Sequence, residues 1–238
     1  MTEACGLTDT GCIRANNEDT YRLAPELGLY LLADGMGGAK AGERASELAV
    51  ETVTGVLRES GQRDSQVLLR AIEAANRKVM EFAKKDTKLE GMGTTLVAAL
   101  DIGEELLIAS VGDSRAYLLD NGSFRVVTED QSWVNEVGRP LGLDEAALRA
   151  HPMRNVLTMA IGASANLVVN CYSIPWRPGS MALLSSDGLH GVVKADVLEW
   201  IVRDGLEELE TKCRRFIDAA RAAGAPDNIT AVVLRRVG

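Results

Sequence analysis

The stretch Leu29-Tyr-Leu-Leu-Ala-Asp-Gly-Met-Gly-Gly38 ends an apolar run with an aspartate and follows it with a glycine-rich turn. An apolar run of this length is typical of a buried strand, and glycines are typical of the turn after it. A carboxylate at a strand end lies on rigid backbone, where a sheet meets solvent. The chain has four aspartates beside such runs: Asp34, Asp113, Asp187 and Asp227.

If these four aspartates converge, they cannot all stay ionised without a cation. Two carboxylates about 4 Å apart repel by roughly 4 kcal/mol at an effective dielectric of about 20. Taken singly, each has a simpler interpretation as a local cap, an Asp-Gly turn or an Asx-turn. A nucleotide-binding loop at 35–38 is disfavoured, since both the G-x-G-x-x-G and G-K-[ST] patterns are missing. The joint pattern favours divalent metal, and oxygen ligands select Mg²⁺ or Mn²⁺.

Composition narrows the function classes. The chain has 238 residues, 46% of them apolar, and a formal net charge of -8. This balance suits a globular protein with a substantial core and disfavours nucleic acid as a partner. The four cysteines form no C-x-x-C pair, and we expect them to be reduced thiols. Without a signal peptide or a long apolar span, the chain is expected to be a cytoplasmic monomer with no membrane contact.

The order of predicted elements indicates the fold class. Helices are predicted at four places: 41–59, 64–86, 194–203 and 206–222. Strands are predicted at 28–33, 94–100, 105–111, 115–119, 124–127, 167–174, 181–186 and 229–236. Many strands are short and hairpin-linked, which differs from the strand–helix alternation of a parallel sheet. The pattern predicts an α+β fold, a four-layer α-β-β-α sandwich of two antiparallel sheets, each flanked by a helix pair.

We expect residues 1–238 to form a single catalytic domain, with a loop or flap segment at roughly 129–157. Arg14 is a candidate phosphate clamp, since a guanidinium can donate two parallel hydrogen bonds to phosphate; a plain surface arginine is the alternative. Glu18 and Asp19 would hold metal-bound waters or orient Arg14, or else form a solvated acidic turn. His190 is a candidate general acid or a loop histidine beside the site.

Seven short motifs follow one another along nearly the whole chain: Arg14-x-x-Asn17-Glu18-Asp19, Asp34-Gly-Met-Gly-Gly38, Gly93-Thr-Thr95, Gly112-Asp-Ser-Arg115, Asn155-Val-Leu-Thr158, Ser186-Asp-Gly-Leu189 and Asp227-Asn-Ile-Thr230. In this order and spacing they resemble the metal-dependent protein phosphatases, the PPM family, type 2C, in its short bacterial form. The resemblance implies the same α-β-β-α sandwich. It also implies a serine/threonine protein phosphatase that acts on phosphoproteins and opposes a bacterial Ser/Thr kinase.

The resemblance further implies a set of metal-holding residues: Asp34, Gly35, Asp187, Asp227, Glu18, Asp19 and Asp113. Asp34 resembles the aspartate that bridges two Mn²⁺ or Mg²⁺ ions, and Gly35 the residue that lends its carbonyl. Asp187 and Asp227 resemble the other ligands of the first ion. Glu18 resembles the residue that reaches the second ion, largely through water.

Asp113, shared with Asp187, resembles the ligand of a weaker third ion, and Arg14 resembles the substrate-phosphate arginine. A metal-bridging hydroxide would attack phosphorus directly, without a phosphoenzyme, because two adjacent ions lower the pKa of a shared water. Met36 stands where animal relatives have a histidine, and Gln131 stands where the T-x-D-H-S motif usually has one.

Two other functions are compatible with parts of this pattern. A catalytically dead module could keep the fold to bind phosphoproteins, although a binder would not need every carboxylate. An enzyme for small phosphorylated metabolites would share the metal-holding residues, because protein specificity depends on surface loops.

Overall fold

The computed structural model describes residues 1–38, 41–204 and 207–238. Its strands are β1 Thr2–Asp9, β2 Asp19–Ala24, β3 Leu29–Met36, β4 Gly93–Thr94, β5 Leu96–Asp101, β6 Glu105–Val111, β7 Arg115–Asp120, β8 Ser123–Val126, β9 Asn170–Pro175, β10 Met181–Ser185 and β11 Ile229–Arg236. Its α-helices are α1 Ala41–Ser60, α2 Ser65–Ala83, α3 Glu145–Ala150, α4 Asp187–His190, α5 Ala195–Arg203 and α6 Leu209–Ala222.

The strands form two antiparallel sheets. One has the order β1-β11-β10-β7-β8, and the other has the order β2-β3-β5-β6-β9, with β4 paired to β3. The β7–β8 hairpin turns at Asn121 and Gly122, as the sequence predicts, and both residues have positive φ. The two-sheet α+β sandwich predicted from the sequence is confirmed.

Alternating side chains place each sheet between two cores. On β3, Leu29 and Leu31 pack against α1 and α2, whereas Tyr30 and Leu32 face the other sheet. The strand β11 behaves in the same way, with Val233 under the second helix pair and Val232 between the sheets. Successive strand residues point to opposite faces, so continuous apolar runs fit strands that are buried on both sides.

The first helix pair begins and packs where the sequence predicts. The Asp64 side chain accepts a hydrogen bond from the Val67 amide at 2.8 Å, which caps the start of α2. Its buried face carries Leu68, Ile72, Ala75 and Val79, spaced at about one helical turn.

The predicted boundaries fail mainly at short helices. The flap segment is not wholly irregular, because it contains a π-helical turn at Val134–Gly138 and the six-residue α3. Asp187, for which an Asp-Gly turn is the simpler prediction, is the first residue of α4. The last helix begins at Leu209, and the predicted start at 206 lies outside the described residues.

The antiparallel order brings three of the four aspartates together at the same end of one sheet, where β10 ends and β7 and β11 begin. The strand β10 ends at Ser185, whose partners are Arg115 at the start of β7 and Ala231 near the start of β11. Asp187 follows β10, while Asp113 precedes β7 and Asp227 precedes β11. Adjacent antiparallel strands run in opposite directions, so the end of one lies beside the starts of its neighbours.

Within the described ranges, no helix is long and apolar enough to cross a membrane.

Candidate active site

An open cleft of about 880 Å³ lies over the strand ends that carry Asp113, Asp187 and Asp227. It is lined by seven of the eight residues predicted to hold metal or bind phosphate: Arg14, Glu18, Asp34, Gly35, Asp113, Asp187 and Asp227. The eighth, Asp19, is buried behind the lining, with 7% of its surface exposed. Residues more than 200 positions apart in the chain therefore meet in one site.

Close backbone approach positions Asp187 beside Asp227. A Cβ atom added to Gly188 would lie 1.9 Å from the carbonyl oxygen of Asn228, so only glycine lets the two segments meet. Asp187 and Asp34 also line the same cleft. The two Asp-Gly motifs thus bring carboxylates from different sheets together.

Glu18 reaches the cleft through a second close approach. The Gly35 amide donates to the Glu18 carbonyl at 3.1 Å. A Cβ atom on Gly42, in the first turn of α1, would lie 1.8 Å from Oε2 of Glu18. Glycines at 35 and 42 therefore leave room for the acidic side chain between β3 and α1.

Burial and like charge raise the pKa values of the clustered carboxyl groups. Burial raises the pKa of Asp34 well above its usual value, and Asp19 and Asp187 raise it further. The pKa of Asp113 is raised to about 7, chiefly by burial and then by the charge of Asp187. Burial and the neighbouring Asp227 raise the pKa of Asp187 as well. A site of this kind favours protons or cations over free carboxylates.

Asp19 supports the cluster from the space between the sheets. Its Oδ2 accepts a hydrogen bond of 2.6 Å from the Thr230 hydroxyl. On β2 it lies opposite Asp34 in the register with β3. Burial raises the pKa of Asp19 to about 7.

Asn228 and Thr95 hold the site together, and their roles were not predicted. Asn228 is 5% exposed; its Oδ1 accepts from the Glu18 amide at 2.8 Å, and its Nδ2 donates to the Asn16 carbonyl at 2.8 Å. The Thr95 hydroxyl accepts from the Asp34 amide at 3.0 Å and lies 2.7 Å from the Ser114 hydroxyl. Both residues belong to motifs quoted above, but only their three-dimensional contacts reveal what they do.

The flap segment and the residues after it form the opposite wall of the cleft. The wall residues are Arg154, Asn155, Val156, Leu157, Thr158, Met159, Ala160 and Ala163. His190 lies elsewhere, lining a separate cavity with Arg115 and Tyr117. Its Nδ1 is 2.9 Å from the Ser185 hydroxyl, and burial lowers the pKa of His190 well below its usual value. This placement disfavours a general acid, and His190 is the last residue of α4 rather than the loop residue of the alternative prediction.

The donor set fits divalent cations. Oδ1 of Asp19 and Oδ1 of Asp187 are buried and accept no hydrogen bond from the described residues. Among the same described residues, no three or more His, Cys, Asp or Glu side chains are grouped as a preformed metal site. The two unbonded carboxylate oxygens suit hard ions, which also take waters and a backbone carbonyl such as that of Gly35.

Comparisons with known proteins match nearly the whole chain. The family model described as protein phosphatase 2C matches residues 14–229. The serine/threonine phosphatase stp of Listeria monocytogenes is 35% identical over 237 residues, which cover 96% of this chain and 94% of the relative.

Solved structures extend the similarity to the whole fold. The crystal structure of the Mycobacterium tuberculosis serine/threonine phosphatase PstP/Ppp has a TM-score of 0.90 at 32% identity, covering 100% of this chain and 99% of that one. The catalytic domain of PstP in complex with two manganese ions has a TM-score of 0.86 at 30% identity, covering 100% and 99%.

Proposed function

Because this chain belongs to the protein phosphatase 2C family, we propose specific residue roles for a metal-dependent serine/threonine protein phosphatase. Its substrates are phosphoproteins. The observation that carries the proposal is the convergence of Asp34, Asp113, Asp187 and Asp227 on one cleft that also contains Arg14. A phosphate ester is the natural substrate for such a combination of cations and arginine.

The proposed metal-holding residues are Asp34, Asp187 and Asp227 for the first ion, and Asp34, Gly35 and Glu18, with Asp19 behind them, for the second. Asp113 and Asp187 are proposed to hold a weaker third ion. When bound, Mn²⁺ or Mg²⁺ supplies positive charge to the phosphate and activates the attacking water. The carboxylates contribute by staying ionised around that charge and by fixing its position on rigid strand ends.

Arg14 is proposed to bind the substrate phosphate. Its side chain is 52% exposed at the mouth of the cleft, where a phosphoryl group can reach it. A guanidinium matches two phosphate oxygens at once and orients the ester. Among the described residues that line the cleft there is no histidine. We therefore assign protonation of the leaving oxygen to water, which the open cleft admits.

Hydrolysis of p-nitrophenyl phosphate tests the metal requirement. We expect turnover with added Mn²⁺ and loss of turnover when a chelator is present in excess. Activity that is indifferent to the chelator would contradict the proposal. The metal-free protein refilled with Mn²⁺ is the control, because recovered turnover excludes denaturation by the chelator.

A second assay separates protein substrates from small metabolites. The open cleft and the long flap wall favour an extended peptide, so a phosphothreonine peptide is expected to turn over faster than sugar phosphates. A preference for sugar phosphates would favour the metabolite enzyme instead. Binding of the peptide without turnover would favour the phosphoprotein-binding module.

Several finer assignments remain predictions. They are a partner Ser/Thr kinase, a monomeric state, a cytoplasmic location and a single catalytic domain over 1–238. Size-exclusion chromatography with light scattering tests the oligomeric state directly.

A further inference from the structure

Gln131 joins three segments that meet beside the cleft. It is 4% exposed, and its backbone amide donates to the Gly112 carbonyl at 2.9 Å. Its side-chain Oε1 accepts from the Gly112 amide, also at 2.9 Å. Its Nε2 donates to the Val168 carbonyl at 3.0 Å. One buried amide is thus bonded to both the turn before β7 and the segment before β9.

The turn that Gln131 holds carries Asp113. Gly112 has φ of +92°, and a Cβ atom there would lie 2.8 Å from Cγ2 of Thr95. The turn is therefore confined on one side by Thr95 and bonded on the other side by Gln131. Because Asp113 follows directly, the position of its carboxylate depends on where this turn is held.

Gln131 also takes part in the backbone pairing between the start of the flap segment and the residues at its end. The Gln131 carbonyl accepts from the Thr158 amide at 3.0 Å. Two residues further, the Trp133 amide donates to the Val156 carbonyl at 2.8 Å. Val156 and Thr158 line the cleft. The same residue therefore fixes the cleft wall relative to Asp113.

We infer that Gln131 is a positioning residue that sets the cation affinity of the Asp113 site. This inference rests on the proposed function, in which Asp113 and Asp187 hold the weaker third ion. Replacing the amide leaves the Gly112 amide and the Val168 carbonyl without their side-chain partner, so the turn gains freedom. A ligand held less firmly binds its ion less tightly, as outer-shell partners of metal sites show by 10–100-fold effects.

Asn76 provides a matched control. It is also a buried amide, 3% exposed, that bonds the chain after the flap segment: Oδ1 accepts from the Gly162 amide at 2.7 Å, and Nδ2 donates to the Ser164 carbonyl at 2.8 Å. None of these contacts involves the Gly112–Asp113 turn. Gln131→Met and Asn76→Leu therefore remove similar buried hydrogen bonds, but only the first releases Asp113.

The test is Mn²⁺ binding to the full chain. Calorimetric titration and the electron paramagnetic resonance signal of free Mn²⁺ both measure it. We expect Gln131→Met to weaken the weakest Mn²⁺ site about tenfold while the tighter sites change less than about threefold. Asn76→Leu is expected to leave every site within about threefold, although both variants lower Tm. Unchanged weak-site affinity in Gln131→Met, or an equal loss in Asn76→Leu, would overturn the inference.

Asp113→Ala separates this inference from the proposed function. If Asp113→Ala removes the weak site and Gln131→Met keeps it, Gln131 has no positioning role. If Asp113→Ala keeps all sites, the proposed third site is wrong and the inference about Gln131 is overturned with it. Should Gln131→Met not fold, Gln131→Asn replaces it, with the same expected and contrary results. The asparagine side chain is one methylene shorter than glutamine, so its amide cannot reach both Gly112 and Val168.

Discussion

Nη2 of Arg14 lies 2.7 Å from Oδ2 of Asp227, so the proposed phosphate-binding arginine is paired with a proposed metal ligand. The hydrogen bond to Asp227 and its charge raise the pKa of Arg14, which keeps the guanidinium positive. The carboxylate therefore has two competing attractions, the arginine and a cation. When a cation takes the carboxylate, the arginine becomes available to a phosphate at the same place.

Arg14→Ala is expected to raise KM for a phosphothreonine peptide about tenfold, because a charge-assisted contact to phosphate is lost. Steady-state kinetics at saturating Mn²⁺ measures this effect. Arg58→Ala is the matched control, since Arg58 is an exposed arginine paired with Glu26 outside the cleft. Unchanged KM and kcat in Arg14→Ala would contradict the assigned role.

Asp187→Ala and Asp227→Ala are each expected to lower kcat at least about a hundredfold at saturating Mn²⁺. Loss of a direct ligand should exceed the 10–100-fold cost of losing an outer partner. Asp120→Asn is the control, because Asp120 ends β7 on the side away from the cleft and accepts from the Ser180 hydroxyl. Near-full turnover in either alanine variant would show that the ligand assignment is wrong.

Asp19→Asn should have an intermediate effect. Its carboxyl group lies behind the cleft lining and is bonded to Thr230, which suits an indirect contact through water. We expect a 10–100-fold loss of Mn²⁺ affinity or turnover, smaller than the loss in Asp187→Ala. Equal losses in the two variants would indicate that Asp19 touches an ion directly.

The sequence predicted the strands well because their pattern is long and local. The predicted range 229–236 matches β11, whose continuous apolar run is buried on both faces. The flap segment was predicted poorly, since its helical turns of five and six residues are too short to show a helical period. The type of site followed from aspartates at strand ends. The roles of Asn228 and Gln131 could not follow, because they depend on hydrogen bonds to residues far away in the sequence.

Lys212→Met tests the packing of the second helix pair. The Lys212 side chain is fully buried, and its Nζ donates to the Ile201 carbonyl at 2.8 Å and to the Val202 carbonyl at 3.3 Å. Removing these bonds leaves carbonyl groups at the end of α5 unpaired, which costs about 1–3 kcal/mol. We expect Tm to fall by several degrees in thermal unfolding while kcat is retained below Tm. Exposed Lys78→Met is the control, and an equal Tm in both variants would refute this account.

The stability of the metal-free protein should fall as the pH rises. The pKa values of Asp19 and Asp113 are about 7 in the folded protein, whereas an aspartate in an unfolded chain has a pKa near 3.9. The folded chain therefore binds more protons than the unfolded chain between these values. The stabilisation that these extra bound protons contribute is fully present below about pH 4 and is lost as the pH rises through about 7.

We therefore expect Tm of the chelator-treated protein to fall between about pH 5.5 and 8. Mn²⁺ should raise Tm more at the higher pH, because its ligands must be ionised before they bind. Asp113→Asn removes one of the titrating groups, so its metal-free Tm should fall less steeply over the same range. Differential scanning fluorimetry in buffers of matched ionic strength measures all three effects. A metal-free Tm that rises with pH, or a Mn²⁺ shift that is equal at both ends, would show that these carboxyl groups do not titrate as their burial predicts.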